Sequence, residues 1–242
     1  MSQSVGLFLC CILWVGGGYM LCAQAPPTPE SFLAQHGVAF TNVAIRGALK
    51  SPDPDLRGVA AGVLAERGDL GAVPLLKTAL DQENIPRVKI SFAAALEKLR
   101  DKRGERSLLL LCKENEIEPT ARLMAANKLL DVGSELCLPQ VLSILENKAD
   151  QPTRDLGLLY LRRITDSPAA LKVRIETFLI NELQDTSPIN RQYASEGLSV
   201  LGGDRSVVAL DRALSQEKSD ATRLRLRENL SRLQLRLKLN KT

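Results

Sequence analysis

The stretch RGVAAGVLAERG at residues 57–68 decides the fold, because it has the spacing of one amphipathic helix that ends at a glycine. An alanine pair stands three and four positions after Arg57, and Leu64 stands seven positions after it. These offsets lie on one face of an α-helix. Gly68 follows where a left-handed helix C-cap favours glycine. The stretch therefore predicts a helix with one apolar face and an abrupt end.

The same spacing recurs along the chain at intervals of 32 to 37 residues, counted between the basic residues that begin each copy. Those basic residues are Arg57, Lys89, Arg122, Arg154, Arg191 and Arg223. Leucine stands seven positions later in all six copies. A repeat of this length is typical of a solenoid, in which stacked units bury what no unit can bury alone.

A second apolar stripe follows each turn, and in the first unit it consists of Leu76, Ala79 and Leu80. Each unit is therefore predicted to be a helix, a tight turn and a second helix. Alanine and leucine, both strong helix formers, supply most of the apolar residues, and aromatic residues make up only 4% of the chain. The pattern predicts an all-α fold, a right-handed α-solenoid of helix pairs.

The first unit resembles the HEAT-repeat family, and in particular the short bacterial form called phycobilisome-lyase HEAT-like repeats. The residues that carry the resemblance are Asp53, Arg57, Ala60, Leu64, Gly68, Asp69, Ala72, Val73, Pro74 and Leu76. The resemblance implies stacked helix pairs. It says little about activity, because one fold hosts many functions.

The domain boundaries follow from where the pattern starts and stops. About five units are predicted in residues 51–217, with the extra length of the fourth unit placed between its helices at residues 165–170. Residues 26–50 are predicted to form one N-terminal capping helix. Residues 218–242 are predicted to form a basic C-terminal capping helix.

The first 25 residues carry no charged side chain and contain an apolar run followed by Ala23-Gln24-Ala25. This favours a signal peptide in residues 1–25, cleaved near Ala25, and a periplasmic or secreted protein. An uncleaved membrane anchor over residues 5–23 is the alternative. A lipid anchor at Cys22 is a weaker alternative, because bulky residues precede this cysteine.

Cleavage would leave two cysteines, Cys112 and Cys137. Their positions within their units differ by eight residues, or about 12 Å along parallel helices. A disulfide needs Cα atoms within about 7 Å of each other. The register therefore predicts two free thiols and no disulfide between these cysteines.

The sequence carries no recognised catalytic or metal-binding motif, so neither a cofactor nor a metal is expected. Its single histidine, His36, is interpreted as a surface or helix-end residue. The deoxyhypusine hydroxylase group of HEAT-like proteins builds a di-iron site from several histidines, and this chain lacks them. The chain is predicted not to be an enzyme.

The repeated arginines are expected to be structural, each reaching an acidic or carbonyl partner in a neighbouring unit. These residues are Arg57, Arg122, Arg154 and Arg191. A basic ladder that binds phosphates is the weaker alternative.

Partners of HEAT solenoids usually bind the concave face, which we expect the second helices to form. The candidate partner-binding residues there are Lys77, Asp81, Leu109, Leu110, Lys113, Leu142, Glu146 and Arg212. Among them, Leu109, Leu110 and Leu142 would form an exposed apolar patch unless the rotation of their helices buries them.

Residues 221–242 carry seven basic side chains and one acidic side chain, a net charge of +6, whereas the whole chain has +4. A basic amphipathic helix can lie on an anionic membrane surface. The candidate residues for such a contact are Arg225, Arg232, Arg236 and Lys238. A capping helix with a solvated basic face is the alternative. Nucleic acid is disfavoured, because few aromatic residues are present to stack on bases.

The sequence therefore favours an exported, non-catalytic scaffold that binds a protein partner on its concave face. The alternative is an envelope-associated module held by its basic C-terminal helix, and an enzyme ranks third.

Overall fold

Helices fill most of residues 28–147, 149–165 and 167–239, which are the residues that the computed structural model describes. Within these ranges the chain has thirteen α-helices, one short 3₁₀ turn (Leu70–Ala72) and no β-strand. The helices are α1 (Pro29–Gln35), α2 (Asn42–Ala48), α3 (Pro54–Glu66), α4 (Val73–Gln82), α5 (Pro86–Lys98), α6 (Lys102–Lys113), α7 (Pro119–Leu130), α8 (Leu138–Glu146), α9 (Gln151–Leu161), α10 (Ala169–Glu182), α11 (Pro188–Leu201), α12 (Asp204–Gln216) and α13 (Asp220–Leu239). The predicted all-α solenoid is confirmed.

Proline and glycine set where the helices begin and end. Proline occupies the first or second position of α3, α5, α7, α9 and α11. An N–H there would have no hydrogen-bond acceptor within the helix, so proline loses no hydrogen bond. Gly68 (φ 64°) adopts the left-handed conformation, as predicted. Gly133 and Gly202 stand at the same offset from Arg122 and Arg191, so the repeat predicts the same cap there. Gly133 has it (φ 78°), but at Gly202 the prediction is wrong, because its φ is −67° and only two residues separate α11 from α12. The longer connection of the fourth unit lies at residues 162–168.

The helices form two layers with different spacing. The first helices (α3, α5, α7, α9, α11 and α13) stack consecutively, with Cα atoms of neighbours repeatedly within 8 Å, whereas consecutive second helices approach this closely at few points. Buried small residues such as Ala60, Ala93 and Ala126 permit the close approach. A two-layer stack curves toward the layer with the shorter spacing. The concave face therefore belongs to the first helices, and its assignment to the second helices is wrong.

The N-terminal cap consists of two short helices, α1 and α2, and the prediction of a single helix is wrong. Gly37 breaks the helix by adopting a left-handed φ of 71°. Thr41 then begins α2, because its hydroxyl accepts the N–H of Ala44. Leu33 and Ile45 are fully buried, so both short helices cover the open edge of the first unit.

The last helix, α13, covers the other end of the stack. Its residues Leu226, Leu230 and Leu233 are buried, as their helical spacing predicts. The helix packs against α11 and α12. Its opposite face has no helix beyond it among the described residues.

Cys112 and Cys137 are joined by a disulfide, with their Cα atoms 6.3 Å apart. The prediction of two free thiols is wrong, because it assumed that consecutive second helices lie side by side in register. Instead, α6 packs mainly on α5 and α7, and α8 packs on α7, α9 and α10. Cys137 is the N-cap of α8, and it meets Cys112 in the last turn of α6.

Candidate protein-binding surface

The repeated arginine connects its own helix to the loops on either side of the unit. The Nε of Arg57 donates to Glu83 at 2.8 Å, and its Nη1 donates to the carbonyl of Ser51 at 2.8 Å. The second oxygen of Glu83 accepts the N–H groups of Asn84 and Ile85, both at 3.0 Å, just before the next first helix. One buried carboxylate therefore joins two consecutive units.

Arg191 repeats this arrangement in the last full unit. Its Nε and Nη2 bond to the two oxygens of Glu217 at 2.7 and 2.8 Å. Glu217 also accepts the N–H groups of Lys218 and Ser219, both at 2.9 Å. The hydrogen bond from Arg191 is the main cause that lowers the pKa of Glu217 to about 2, against the opposing effect of burial. This carboxylate is ionised at neutral pH.

The other two repeated arginines have different partners. Arg154 bonds to Glu182 at 2.7 Å and to Asp185 at 3.2 Å. Burial raises the pKa of Glu182 despite the hydrogen bond from Arg154. Among the described residues, Arg122 bonds to the carbonyl of Cys112 alone, at 3.1 Å. These contacts agree with the structural role expected of the arginines, and that role itself stays a prediction.

Four of the eight residues proposed for partner binding on the second helices are ion-paired or buried. Lys77 bonds to Asp101 at 2.6 Å, Asp81 bonds to Arg103, and Glu146 bonds to Arg174 at 3.0 Å. Each of these pairs links one second helix to the next second helix or to its start. Their side chains therefore help hold the units together.

The apolar patch expected from Leu109, Leu110 and Leu142 does not form. Leu142 is fully buried, because the rotation of α8 turns it into the core, and Leu109 is half-buried. Leu110 is 65% exposed and stands near the exposed Lys113 on α6. Arg212 is exposed on α12, six helices further along the chain than α6, which carries Lys113. The structure therefore does not bring the predicted set together.

A continuous free surface lies on the first helices instead. Four positions of each unit leave the core: those two before and two, five and nine after the repeated basic residue. We call this surface the first-helix face. Its residues are Asp55, Val59, Gly62 and Glu66 on α3; Arg87, Ser91, Ala94 and Lys98 on α5; Thr120, Met124, Asn127 and Asp131 on α7; Pro152, Leu156, Leu159 and Arg163 on α9; and Ile189, Tyr193, Glu196 and Val200 on α11. Each is exposed or half-buried.

Charged side chains form one border of the first-helix face along α3, α5, α7 and α9, and part of the opposite border on α3 and α5. Asp55 pairs with Arg87 along this opposite border. Along the first border, Glu66 pairs with Lys98, and Asp131 pairs with Arg163 at 2.9 Å. Successive units therefore carry charges of alternating sign at equivalent positions. These ion pairs link neighbouring first helices and lie along the edges of the first-helix face.

The part of the first-helix face on α7, α9 and α11 is mostly apolar. Met124 is 39% exposed and Ile189 is 56% exposed, while Leu156 and Leu159 are half-buried. The guanidinium carbon of Arg162 lies over the ring of Tyr193, 4.5 Å from the ring centre. An apolar centre with aromatic and methionine side chains, bordered by charges, is the usual composition of a protein-binding surface.

The C-terminal helix carries all four cations proposed for an anionic surface, and three of them, Arg225, Arg232 and Lys238, are exposed on α13. Arg225 also pairs with Glu228 at 3.1 Å. The guanidinium of Arg236 donates to the carbonyls of Ser199 (3.3 Å) and Gly202 at the end of α11. Arg236 is therefore less available than the other three, and the anionic contact stays a prediction.

The described residues contain no group of three or more His, Cys, Asp or Glu side chains that could hold a metal ion. His36 lies at the end of α1, where its Nδ1 bonds to the carbonyl of Phe32 at 2.8 Å and its Nε2 lies 3.3 Å from Asp53. This position agrees with a helix-end residue. Within residues 28–147, 149–165 and 167–239, no helix is both long and apolar enough to span a membrane. The predicted signal peptide lies outside the described residues.

Residues 42–116 match the family model of HEAT repeats. The matched segment runs from α2 past the end of α6 and includes the unit in which Arg57 bonds to Glu83. This match supports a HEAT-repeat family, whereas the phycobilisome-lyase type stays a prediction. No curated protein matches the chain.

Proposed function

We propose that this HEAT-repeat chain is an exported, non-catalytic scaffold that binds a protein partner on its first-helix face. HEAT repeats generally mediate protein interaction. The observation that carries the proposal is the apolar part of this face on α7, α9 and α11, where Met124 and Ile189 are exposed and the charged pair of Asp131 and Arg163 lies along one edge. Isolated exposed apolar residues are common, but a bordered group on one concave layer indicates a binding surface.

Export is supported by two observations. The uncharged, apolar N-terminal segment of the sequence has the features of a signal peptide. The disulfide between Cys112 and Cys137 is of a kind that persists in oxidising compartments. Together they favour the periplasm or the cell exterior as the place where the scaffold meets its partner.

Replacing Met124 and Ile189 together by glutamate is expected to abolish capture of the partner. Two charges would enter the apolar centre, and each would have to be desolvated when the partner binds. Affinity should fall by at least about a hundredfold, the effect of losing one or two central anchors. The measurement is chemical crosslinking and pull-down from the native envelope fraction, followed by titration with the purified partner.

The matched control is the Leu110→Glu, Val208→Glu double variant. Both residues lie on second helices and are 65% and 71% exposed, so the charge change is the same on the opposite layer. We expect this control to capture the partner as the wild type does. Loss of capture in the control, with no loss in the Met124→Glu, Ile189→Glu variant, would place the interaction on the second helices and overturn the proposal.

A second function, attachment to an anionic membrane surface, is favoured by the exposed face of α13. Leu224, Leu235 and Leu239 are 53%, 60% and 66% exposed. At 100° per residue they form one stripe, with Arg225 and Arg232 on one side and Arg227 and Lys238 on the other. An apolar stripe between cations is the arrangement that lies in a membrane interface.

Replacing Arg225, Arg232 and Lys238 by glutamine is expected to weaken binding to phosphatidylglycerol-containing vesicles. Each cation near an anionic surface contributes about 1 kcal/mol, so the loss should be about a hundredfold. Vesicle co-sedimentation measures it, with the Lys102→Gln, Arg106→Gln, Lys113→Gln variant of α6 as a control of equal charge. Equal weakening in both variants would show a response to net charge alone, and the attachment through α13 would be rejected.

A further inference from the structure

Three of the repeated arginines bond to a carboxylate at the same position of the repeat. Arg57 and Arg191 do so through Nε. Arg154 does so through Nη2, which also bonds to Glu182. In each of the three units, the guanidinium bonds to a buried acid in the loop that closes the unit, and the acid stands six positions before the next repeated basic residue. The pairs are Arg57 with Glu83 (2.8 Å), Arg154 with Asp185 (3.2 Å) and Arg191 with Glu217 (2.7 Å). A carboxylate therefore occupies the equivalent position beside the repeated arginine in three units.

Arg122 is the repeated arginine whose unit lacks this acid. The equivalent sequence position holds Lys148, so the third unit supplies no carboxylate in register. Arg122 donates from Nε to the carbonyl of Cys112 at 3.1 Å. Among the described residues its Nη1 and Nη2 have no hydrogen-bond partner and no acidic partner. On Arg191, Glu217 takes Nε and Nη2 while Nη1 donates to a loop carbonyl. On Arg122, where Nε holds the carbonyl of Cys112, Nη1 and Nη2 are the groups left for an anion.

Arg122 also lines a cleft of about 720 Å³ between α7, α8 and α9. Uncharged polar side chains line much of the cleft, among them Asn115, Thr120 and Ser143. The closing loops beside Arg57 and Arg191 contain their acids, whereas this cleft leaves room for a group from outside the chain.

Two carboxylates, Glu118 and Asp150, line the same cleft and are exposed. Asp150 already accepts the N–H of Thr153 at 3.0 Å. Because both acids are exposed, solvent screens their repulsion of a guest anion more than it weakens a direct bond to Arg122. They also favour a guest whose carboxylate has a basic residue beside it.

We propose that this cleft binds a carboxylate of the protein partner, which Nη1 and Nη2 of Arg122 receive. The planar fork of a guanidinium suits a carboxylate, because two parallel hydrogen bonds form at once. The disulfide stabilises this site, since Cys112, whose carbonyl holds Arg122, is joined to the start of α8. This inference rests on the proposed function, because it names the chemistry of the partner segment that reaches the cleft.

The test titrates the isotope-labelled protein with three small probes and follows the backbone amide signals of Thr120 and Thr153 by NMR. N-acetylglutamate N-methylamide carries a side-chain carboxylate, N-acetylalanine carries a chain-terminal carboxylate, and N-acetylglutamine N-methylamide is the neutral control. We expect saturable shifts with a millimolar dissociation constant for at least one carboxylate and none for the neutral amide. Arg122→Gln should weaken binding at least about tenfold, Arg122→Lys should weaken it less, and Arg106→Gln on α6 should leave it unchanged.

The two carboxylate arms distinguish the source of the group. Binding of the first probe identifies an acidic side chain of the partner, and binding of the second identifies its C-terminus. Binding that persists in Arg122→Gln, equal binding of the neutral amide, or no binding of either carboxylate would overturn the inference. If capture of the partner is lost in the Met124→Glu, Ile189→Glu variant while no carboxylate binds, the proposed function stands and this inference alone fails.

Discussion

Replacing Arg191 by methionine is expected to lower the free energy of unfolding by about 3–5 kcal/mol, the cost of leaving one partner of a buried ion pair alone. The side chain of Glu217 is only 2% exposed, so water cannot replace the two hydrogen bonds that Arg191 donates. The loop carbonyl of Asp185, which accepts from Arg191 at 2.8 Å, would lose its partner as well. Urea unfolding followed by circular dichroism measures the effect.

The loss should also depend on pH, with a sign that the pKa of Glu217 fixes. Its pKa lies at about 2 in the folded protein, against an ordinary value of 4.5. A lowered pKa contributes stability that is present above 4.5 and is lost as the pH falls toward 2. Without Arg191, burial raises the pKa of Glu217 and no ion pair opposes it. The difference in the free energy of unfolding between the wild type and the Arg191→Met variant should therefore narrow as the pH falls from 4.5 toward 2.

Two further variants make the Arg191 experiment decisive. The double variant Arg191→Met, Glu217→Met removes both charges and should recover much of the lost stability. Arg212→Met changes an exposed arginine on α12 and should cost less than about 1 kcal/mol. A loss for Arg191→Met no larger than that for Arg212→Met, at neutral pH, would show that the arginine ladder does not stabilise the stack.

Breaking the Cys112–Cys137 disulfide is expected to lower the free energy of unfolding by about 3–4 kcal/mol. The bond closes a loop of 25 residues, and a loop of this length restricts the unfolded chain by about that amount. Both cysteines are buried, so the double variant Cys112→Ala, Cys137→Ala should also lose a little packing. Denaturant unfolding with and without a reductant measures the difference.

The disulfide experiment contains its own control. A reductant should destabilise the wild type and leave the Cys112→Ala, Cys137→Ala variant unchanged. Thiol titration of the unreduced, denatured protein should find neither of these two cysteines reactive. Two reactive thiols in this titration, or equal stability of the wild type with and without reductant, would support the prediction of two free thiols and contradict the disulfide.

The helix pairs were predictable because one apolar pattern recurs six times and the helical period translates it into buried faces. Leu64, Leu96, Leu129 and Leu198 all stand at the same position and are all fully buried. The break between α1 and α2 was less predictable, since Gly37 stands within a segment that otherwise has helical spacing. The direction of curvature depends on distances between helices, which a single-helix pattern does not contain.

The candidate surface was missed although part of its signal is in the sequence. Alanine pairs such as Ala60 and Ala61 occur in the first helices, and small side chains there permit the short spacing that makes this layer concave. The disulfide joins the last turn of α6 to the N-cap of α8, and a register that assumed parallel helices side by side placed Cys112 and Cys137 too far apart. The acids that pair with the arginines could have been found, since Glu83 and Glu217 occupy the same position in their units.

Site-specific photo-crosslinking tests the central claim most directly. A benzophenone side chain is introduced at Met124 in one protein and at Leu110 in another, and each is irradiated in the native envelope fraction. The account predicts a discrete adduct with one protein from position 124, on the first-helix face, and none from position 110. An adduct from position 110 alone would contradict the account, because the partner would then lie on the second helices.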